Sequence, residues 1–189
     1  MKREFFQAVF SSGQRLPEHI ATGNPAQQER WRSMVARAKL SPEQRATVES
    51  FTRPVNLLII SGVWCGDCIE QIPLIQAIAD ASGGRIAVRI VDRDQHPELS
   101  SRFRLNAGAR VPVVIFLSED FEFCGVYGDR TLSRYRRLAR QQIGLACPLG
   151  EAPESEDELR QTTQDWLNEI ERIHWMLRLS PRLRQKHGD

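Results

Sequence analysis

Two cysteines three positions apart, Cys65 and Cys68 in GVWCGDCIEQIP (62–73), are the residues whose types and spacing could do chemistry. Three readings fit the bare pair. A dithiol can exchange with disulfides, two thiolates can form half of a tetrahedral zinc site, and small sulfur side chains can fill core. Zinc would need two more ligands, yet Cys124 and Cys147 stand far apart and no histidine lies close to either pair. No metal is therefore expected. Cys124 alternates with Phe121 and Phe123 and shares a strand face with Glu122, while Cys147 follows a helix-ending loop; both read as structural. His19, His96, His174 and His187 are scattered, and none is assigned to catalysis.

The elements around the pair alternate. NLLIISGVW places a continuous apolar run (57–60) directly before the cysteines, the pattern of a fully buried strand. From Cys68 through Ile69, Ile72, Ile75, Ile78 and Ala79 the spacing is helical, and Gly83 and Gly84 end it. RIAVRIVD (85–92) then alternates as a strand, so strand, helix and strand form a parallel crossover. HPELSSRFRL predicts a further helix, and VPVVIFL and FEFCGVY a hairpin joined through SED. In DRTLSRYRRLARQQIG, Leu132, Tyr135, Leu138 and Ile143 are expected to face inward, Arg134, Arg136, Arg137 and Arg140 to face solvent, and Gly144 to end the helix.

Both flanks read as helical. Phe5, Phe6, Val9 and Phe10, then Trp31, Met34, Val35 and Ala38, mark helix faces, and SPEQ (41–44) predicts a helix capped by Ser41 with Gln44 reaching back. At the other end GEAPESEDE leads into Leu159, Trp166, Ile170, Ile173 and Leu177, one stripe of a long helix with Ser155 and Glu158 as capping box. That stripe is expected to pack on the chain's own amino-terminal arm, with a homodimer seam as the alternative.

Composition excludes several functions. With 26 Lys and Arg against 24 Asp and Glu the net charge is +2, too small a field to draw nucleic acid or anionic lipid. No stretch approaches the roughly 18 apolar residues of a membrane span, and the short start MKREFFQAVF does not read as a signal peptide. Four cysteines are too few for a disulfide scaffold, so a reducing cytoplasm is the expected setting.

In order and kind, Trp64 before the two cysteines, Pro73 along the following helix, DQHPEL after the next strand, Val111–Pro112 and Gly128 resemble the thioredoxin superfamily over about residues 51–145. The resemblance implies an α/β, thioredoxin-like three-layer fold with a mixed sheet for a 51–149 domain; the helical segments at 1–50 and 150–189, read from their own spacing, are expected to pack with it as one globular unit. The same resemblance implies a thiol-disulfide oxidoreductase needing no cofactor, whose partners are a disulfide-containing client protein or small disulfide and an electron donor. Helix-start geometry makes Cys65 the nucleophile and Cys68 the resolving thiol. Gly66 leaves room for a client backbone, Trp64 shields the pair, and Asp67 tunes it by opposing the Cys65 thiolate. The resemblance also implies that Pro112 is cis against the cysteines, with Val111 positioned to pair with an extended client. Three features depart from the family, one being the absence of the Lys found in many members, whose aligned position falls near Ile90. Ile59 stands where thioredoxins place a buried Asp as proton acceptor, and Asp67 replaces the usual proline, as in bacterial relatives with a WCGD core. Water, Asp67 or Glu70 are the substitutes the sequence offers for the acceptor. A binding or scaffold protein using its helical arms is the alternative function.

Overall fold

The computed structural model describes residues 2–143 and 155–189. Cys147, Gly144 and the acidic residues before Ser155 lie outside the described residues. Four helices come first: α1 (Arg3–Ser12), α2 (Leu16–Ala21), α3 (Pro25–Arg37) and α4 (Pro42–Glu49). Ser41 caps α4 as its sequence requires, its hydroxyl accepting from the Gln44 amide at 3.2 Å while Gln44 Oε1 accepts from the Ser41 amide at 3.0 Å.

The central portion follows as β1 (Val55–Ser61), α5 (Gly66–Ala81), β2 (Ile86–Asp92), α6 (Pro97–Arg102), β3 (Val113–Ser118), β4 (Phe123–Gly128) and α7 (Leu132–Ile143). The strands form one mixed sheet in the order β2-β1-β3-β4, with β1 and β2 parallel and the other neighbours antiparallel. Leu57, Leu58, Ile59 and Ile60 are all buried, so β1 is covered on both faces as its unbroken apolar run predicts. Gln14, in the loop after α1, exchanges two 2.8 Å backbone hydrogen bonds with Ile90 and ties the amino-terminal arm to the outer edge of β2.

Two local expectations fail for identifiable reasons. Leu117 pairs with Phe123 but Phe116 with Gly125, so Cys124 is an extra residue in a bulge, and simple alternation does not hold in β4. Phe123 consequently stacks near Phe6 and Phe103, whereas Tyr127 meets the Trp166 ring edge-on at 5.2 Å. In α7, Leu132 and Tyr135 are 51% and 44% exposed, while Arg134, expected in solvent, is 4% exposed. Arginine takes the inward position because carboxylates of α5 wait there to pair with it. Val35 of α3 is also exposed rather than packed.

The chain ends with α8 (Glu156–Arg178) and α9 (Pro181–His187). Leu159, Trp166, Ile170, Ile173 and Leu177 are buried as one stripe, but its neighbours are α5, α7 and β4 as well as α4 of the amino-terminal arm. Trp166 is fully enclosed, and its indole donates to Gln71 Oε1 at 3.2 Å. The stripe is thus occupied within the chain. Ser180–Pro181 begins a separate helix after α8; Arg182 pairs with Asp120, and Lys186 and His187 with Glu119, in the turn between β3 and β4.

Replacing Trp166 by Ala removes a large ring from this junction and should destabilise the protein by about 3–5 kcal/mol, read as a lower denaturant midpoint. A midpoint equal to that of the unaltered protein would show that α8 lies on the surface without supporting the core.

Candidate active site

Cys65 is the residue that caps α5, and its partner lies one turn on. Leaving β1, the chain turns through Gly62, whose carbonyl accepts from the Cys65 amide at 2.9 Å, and enters the helix with the Ile69 amide bonded to Cys65 O. Gly62 is required here, because a Cβ would stand 2.7 Å from the Trp64 ring folded over it. Cys65 is half-buried, Cys68 is fully buried, and the two are 3.6 Å apart.

This asymmetry separates their acidities. The Cys65 thiol is lowered to about 7, chiefly by the hydrogen bond from the Cys68 thiol, with the amides of Cys68 and Asp67 adding and burial and the Asp67 charge opposing. Burial pushes Cys68 well above the ordinary thiol range. Chemically, about half of the outer sulfur is thiolate near pH 7, and the inner one is a protonated thiol held beside it.

Val111 and Pro112 are joined by a cis peptide bond, and Cys65 Sγ lies 3.6 Å from Val111 O. Gly128, at the end of β4, holds that turn in place: a Cβ there would sit 2.3 Å from Pro112 O. A Cβ on Gly66 would approach only the end of Arg30, at 3.8 Å, so this face of the helix start is open. Trp64 is 46% exposed, with the Arg93 guanidinium 4.7 Å from its ring centre; it borders the site without enclosing it.

Asp67 has company that the sequence did not announce. Both of its oxygens accept from Arg130 Nε at 3.0 Å, Arg130 Nη2 lies 2.7 Å from Oδ2, and Arg134 Nη2 lies 2.6 Å from Oδ1. Arg134 also pairs with Glu70. The carboxylate still opposes the Cys65 thiolate, but two guanidiniums compensate it. Asp67 and Glu70 are therefore engaged with arginines rather than poised over Cys68.

A histidine with no catalytic role expected from the sequence lies close by. His19 of α2 is fully buried, with Nε2 3.0 Å from Ser61 Oγ, and the Ser61 hydroxyl in turn is placed to favour the Cys68 thiolate by donating to it, against the upward push of burial. Ser61 had one legible signal, since it follows Ile59 by two residues and so shares its strand face. His19 had none, because only the folding of the arm brings α2 to the end of β1. Cys124 is half-buried in its bulge, its thiol raised to about 11 mainly by burial, which makes it inert. Among the described residues no group of three or more His, Cys, Asp or Glu could hold a metal ion. Nor is any helix among them long and apolar enough to cross a membrane.

Replacing Asp67 by Asn would remove the opposing anion and leave Arg130 without its carboxylate partner at the helix start, while Arg134 keeps Glu70. The pH midpoint of Cys65 alkylation should then fall below about 7, and equilibration with glutathione should give a less negative potential. A midpoint that stays or rises would show that the Asp67 charge does not reach the thiolate.

Comparison with known proteins agrees with this fold. The profile of the Thioredoxin family matches residues 13–135, beginning well inside the amino-terminal arm. A crystal structure of a protein of unknown function from Pseudomonas aeruginosa superposes with a TM-score of 0.68 at 19% identity, covering 86% of this chain and 95% of that one. An HIV epitope-scaffold structure gives 0.69 at 17% identity, covering 87% and 96%. At such identities these two speak for the fold alone. No curated protein matches the chain. The mixed sheet, the cysteine pair at the start of α5 and the family match lead to one conclusion: the chain belongs to the thioredoxin superfamily.

Proposed function

We propose that the protein is a cytoplasmic thiol-disulfide oxidoreductase that reduces disulfides of client proteins or small molecules through Cys65 and Cys68. The observation that carries this reading is the half-buried, acidified Cys65 lying 3.6 Å from a fully buried, protonated Cys68. The Cys65 thiolate attacks a client disulfide, forming a mixed disulfide and releasing one client sulfur as a thiolate. Cys68 then attacks Cys65 Sγ, the internal disulfide forms, and the second client sulfur leaves. A thiol or dithiol donor restores the pair.

Reduction is favoured over oxidation. A strongly acidic nucleophile stabilises the dithiol and makes an oxidant, whereas a thiol at about 7 leaves the internal disulfide comparatively stable. Gly66, Trp64 and the turn at Val111–Pro112 surround Cys65 and are the surfaces a client would meet. The alternative of a binding module built on the arms loses its main support, because the apolar stripe of α8 is buried within the chain.

Insulin reduction driven by a chemical dithiol should depend wholly on Cys65, and Cys65→Ser should abolish turnover. Cys68→Ser should instead accumulate a Cys65–client mixed disulfide, visible by mass and released by excess thiol. Wild-type protein with no Cys65-dependent turnover would favour the binding module.

A further inference from the structure

The second half of this chemistry, on whose first half the proposal above rests, needs a proton to leave Cys68. Its thiol is fully buried and must ionise, at least transiently, before the sulfur can attack. A general base within hydrogen-bond reach, directly or through one intermediate group, is what the step requires. Asp67 and Glu70 are bound by arginines.

What does reach Cys68 is a buried series of polar side chains. The Cys68 thiol contacts the Ser61 hydroxyl, Ser61 Oγ lies 3.0 Å from His19 Nε2, and His19 Nδ1 lies 3.4 Å from Gln14 Oε1. An amide oxygen only accepts, so the ring proton belongs on Nδ1 and Nε2 is left as an acceptor. In the mixed disulfide, where Cys65 no longer takes the Cys68 proton, donation runs one way, from the Cys68 thiol to Ser61 Oγ and from the Ser61 hydroxyl to His19 Nε2; once the protons have moved, the Ser61 hydroxyl donates back to the Cys68 thiolate and favours it. The ring is fixed by its neighbours: Trp31 meets it edge-on at 5.6 Å, and Gln14 is itself locked to Ile90 of β2.

We propose that Ser61 and His19 form a proton relay that takes the Cys68 proton as the mixed disulfide is resolved. The thiol proton passes to Ser61 Oγ while the Ser61 proton passes to Nε2. The Cys68 sulfur bonds to Cys65 Sγ, the bond between Cys65 and the client sulfur breaks, and the client leaves as a thiolate with the electron pair. The client disulfide is the oxidant, reduced by two electrons as the two cysteines are oxidised, and one proton remains on His19. Ser61 touches the reacting sulfur; His19 is a positioning residue acting through it.

The electrostatics suit a transient acceptor. Burial lowers His19 to about 4, partly opposed by the Asp92 carboxylate of β2, so the ring is neutral at any physiological pH. Proton transfer from Cys68 is uphill, which confines the imidazolium to the moment when the Cys68 thiolate and Asp92 both face it. Among the groups around the ring, Gln14, Trp31 and Ser61 are neutral, and Asp92 and the ionised Cys68 are the charges that favour protonation. Between about 4 and the high pKa of Cys68, neither reacting group changes its resting protonation, so relay-driven resolution should be independent of pH.

A chromogenic bis(nitrobenzoate) disulfide, mixed in equimolar amount with the full chain carrying Cys124→Ala and Cys147→Ala, separates the two halves. Attack by Cys65 releases one nitrothiobenzoate, and resolution by Cys68 releases the second. The first phase should rise with pH through about 7 and the second should be flat from pH 5 to 8. His19→Gln keeps an acceptor for Ser61 but not a base, and Ser61→Ala breaks the series. Each should leave the first phase unchanged and slow the second roughly 100-fold at pH 6, with its rate now climbing about tenfold per pH unit as hydroxide takes over. The relay is overturned if the variants keep the wild-type second phase, or are slowed equally at every pH, as a packing role would require. Should neither variant fold, a wild-type second phase that itself climbs about tenfold per pH unit overturns it unaided. Loss of the first release would instead overturn the dithiol reading on which the relay rests.

Discussion

The hydrogen bond from the Cys68 thiol to the Cys65 sulfur is the interaction on which the rest of the structure depends. It asks for one sulfur at the protein surface and another in the core, 3.6 Å apart, on consecutive turns of one helix. That is possible only if the helix begins where a buried strand ends. β1 supplies the strand, covered on both faces, and the Gly62 turn delivers Cys65 to the capping position without a side chain under Trp64. The remaining layers keep α5 from shifting. α3, α4 and α8 lie against it, and the Trp166–Gln71 hydrogen bond fixes α8 to its middle.

Charge performs a second anchoring. Asp67 and Glu70 lie on the first turns of α5, and Arg130 and Arg134 reach them from the segment after β4 and from α7. Removing one partner of so enclosed a group would leave a buried charge uncompensated, which is where the cost of such pairs resides. The same arginines soften the field that Asp67 imposes on Cys65. A residue within the motif that looked like a simple opponent of the thiolate is therefore part of the joint between α5 and α7.

Much of this was legible in the sequence. β1, α5 and β2 announce themselves because burial on one or both faces writes an apolar period into the chain, and the caps at Ser41 and Ser155 because orphan amides select particular side chains. What failed did so for lack of a local signal. Arg134 reads as solvent-facing until its carboxylate partners are located. The bulge at Cys124 reads as plain alternation, since one extra residue changes the parity of everything after it without changing composition. His19 reads as incidental because its significance lies in a contact across 42 positions of chain. The resemblance spans about residues 51–145, whereas the family match reaches back to residue 13 and takes in that histidine.

The backbone exchange between Gln14 and Ile90 has a meaning for other polypeptides as well. Exposed sheet margins recruit foreign strands, and this sheet obstructs both of its own. One margin carries a residue of the arm in the middle of β2, and the other is distorted by the bulge in β4. Both flanks of the sheet are thereby guarded against templating foreign strands into aggregates.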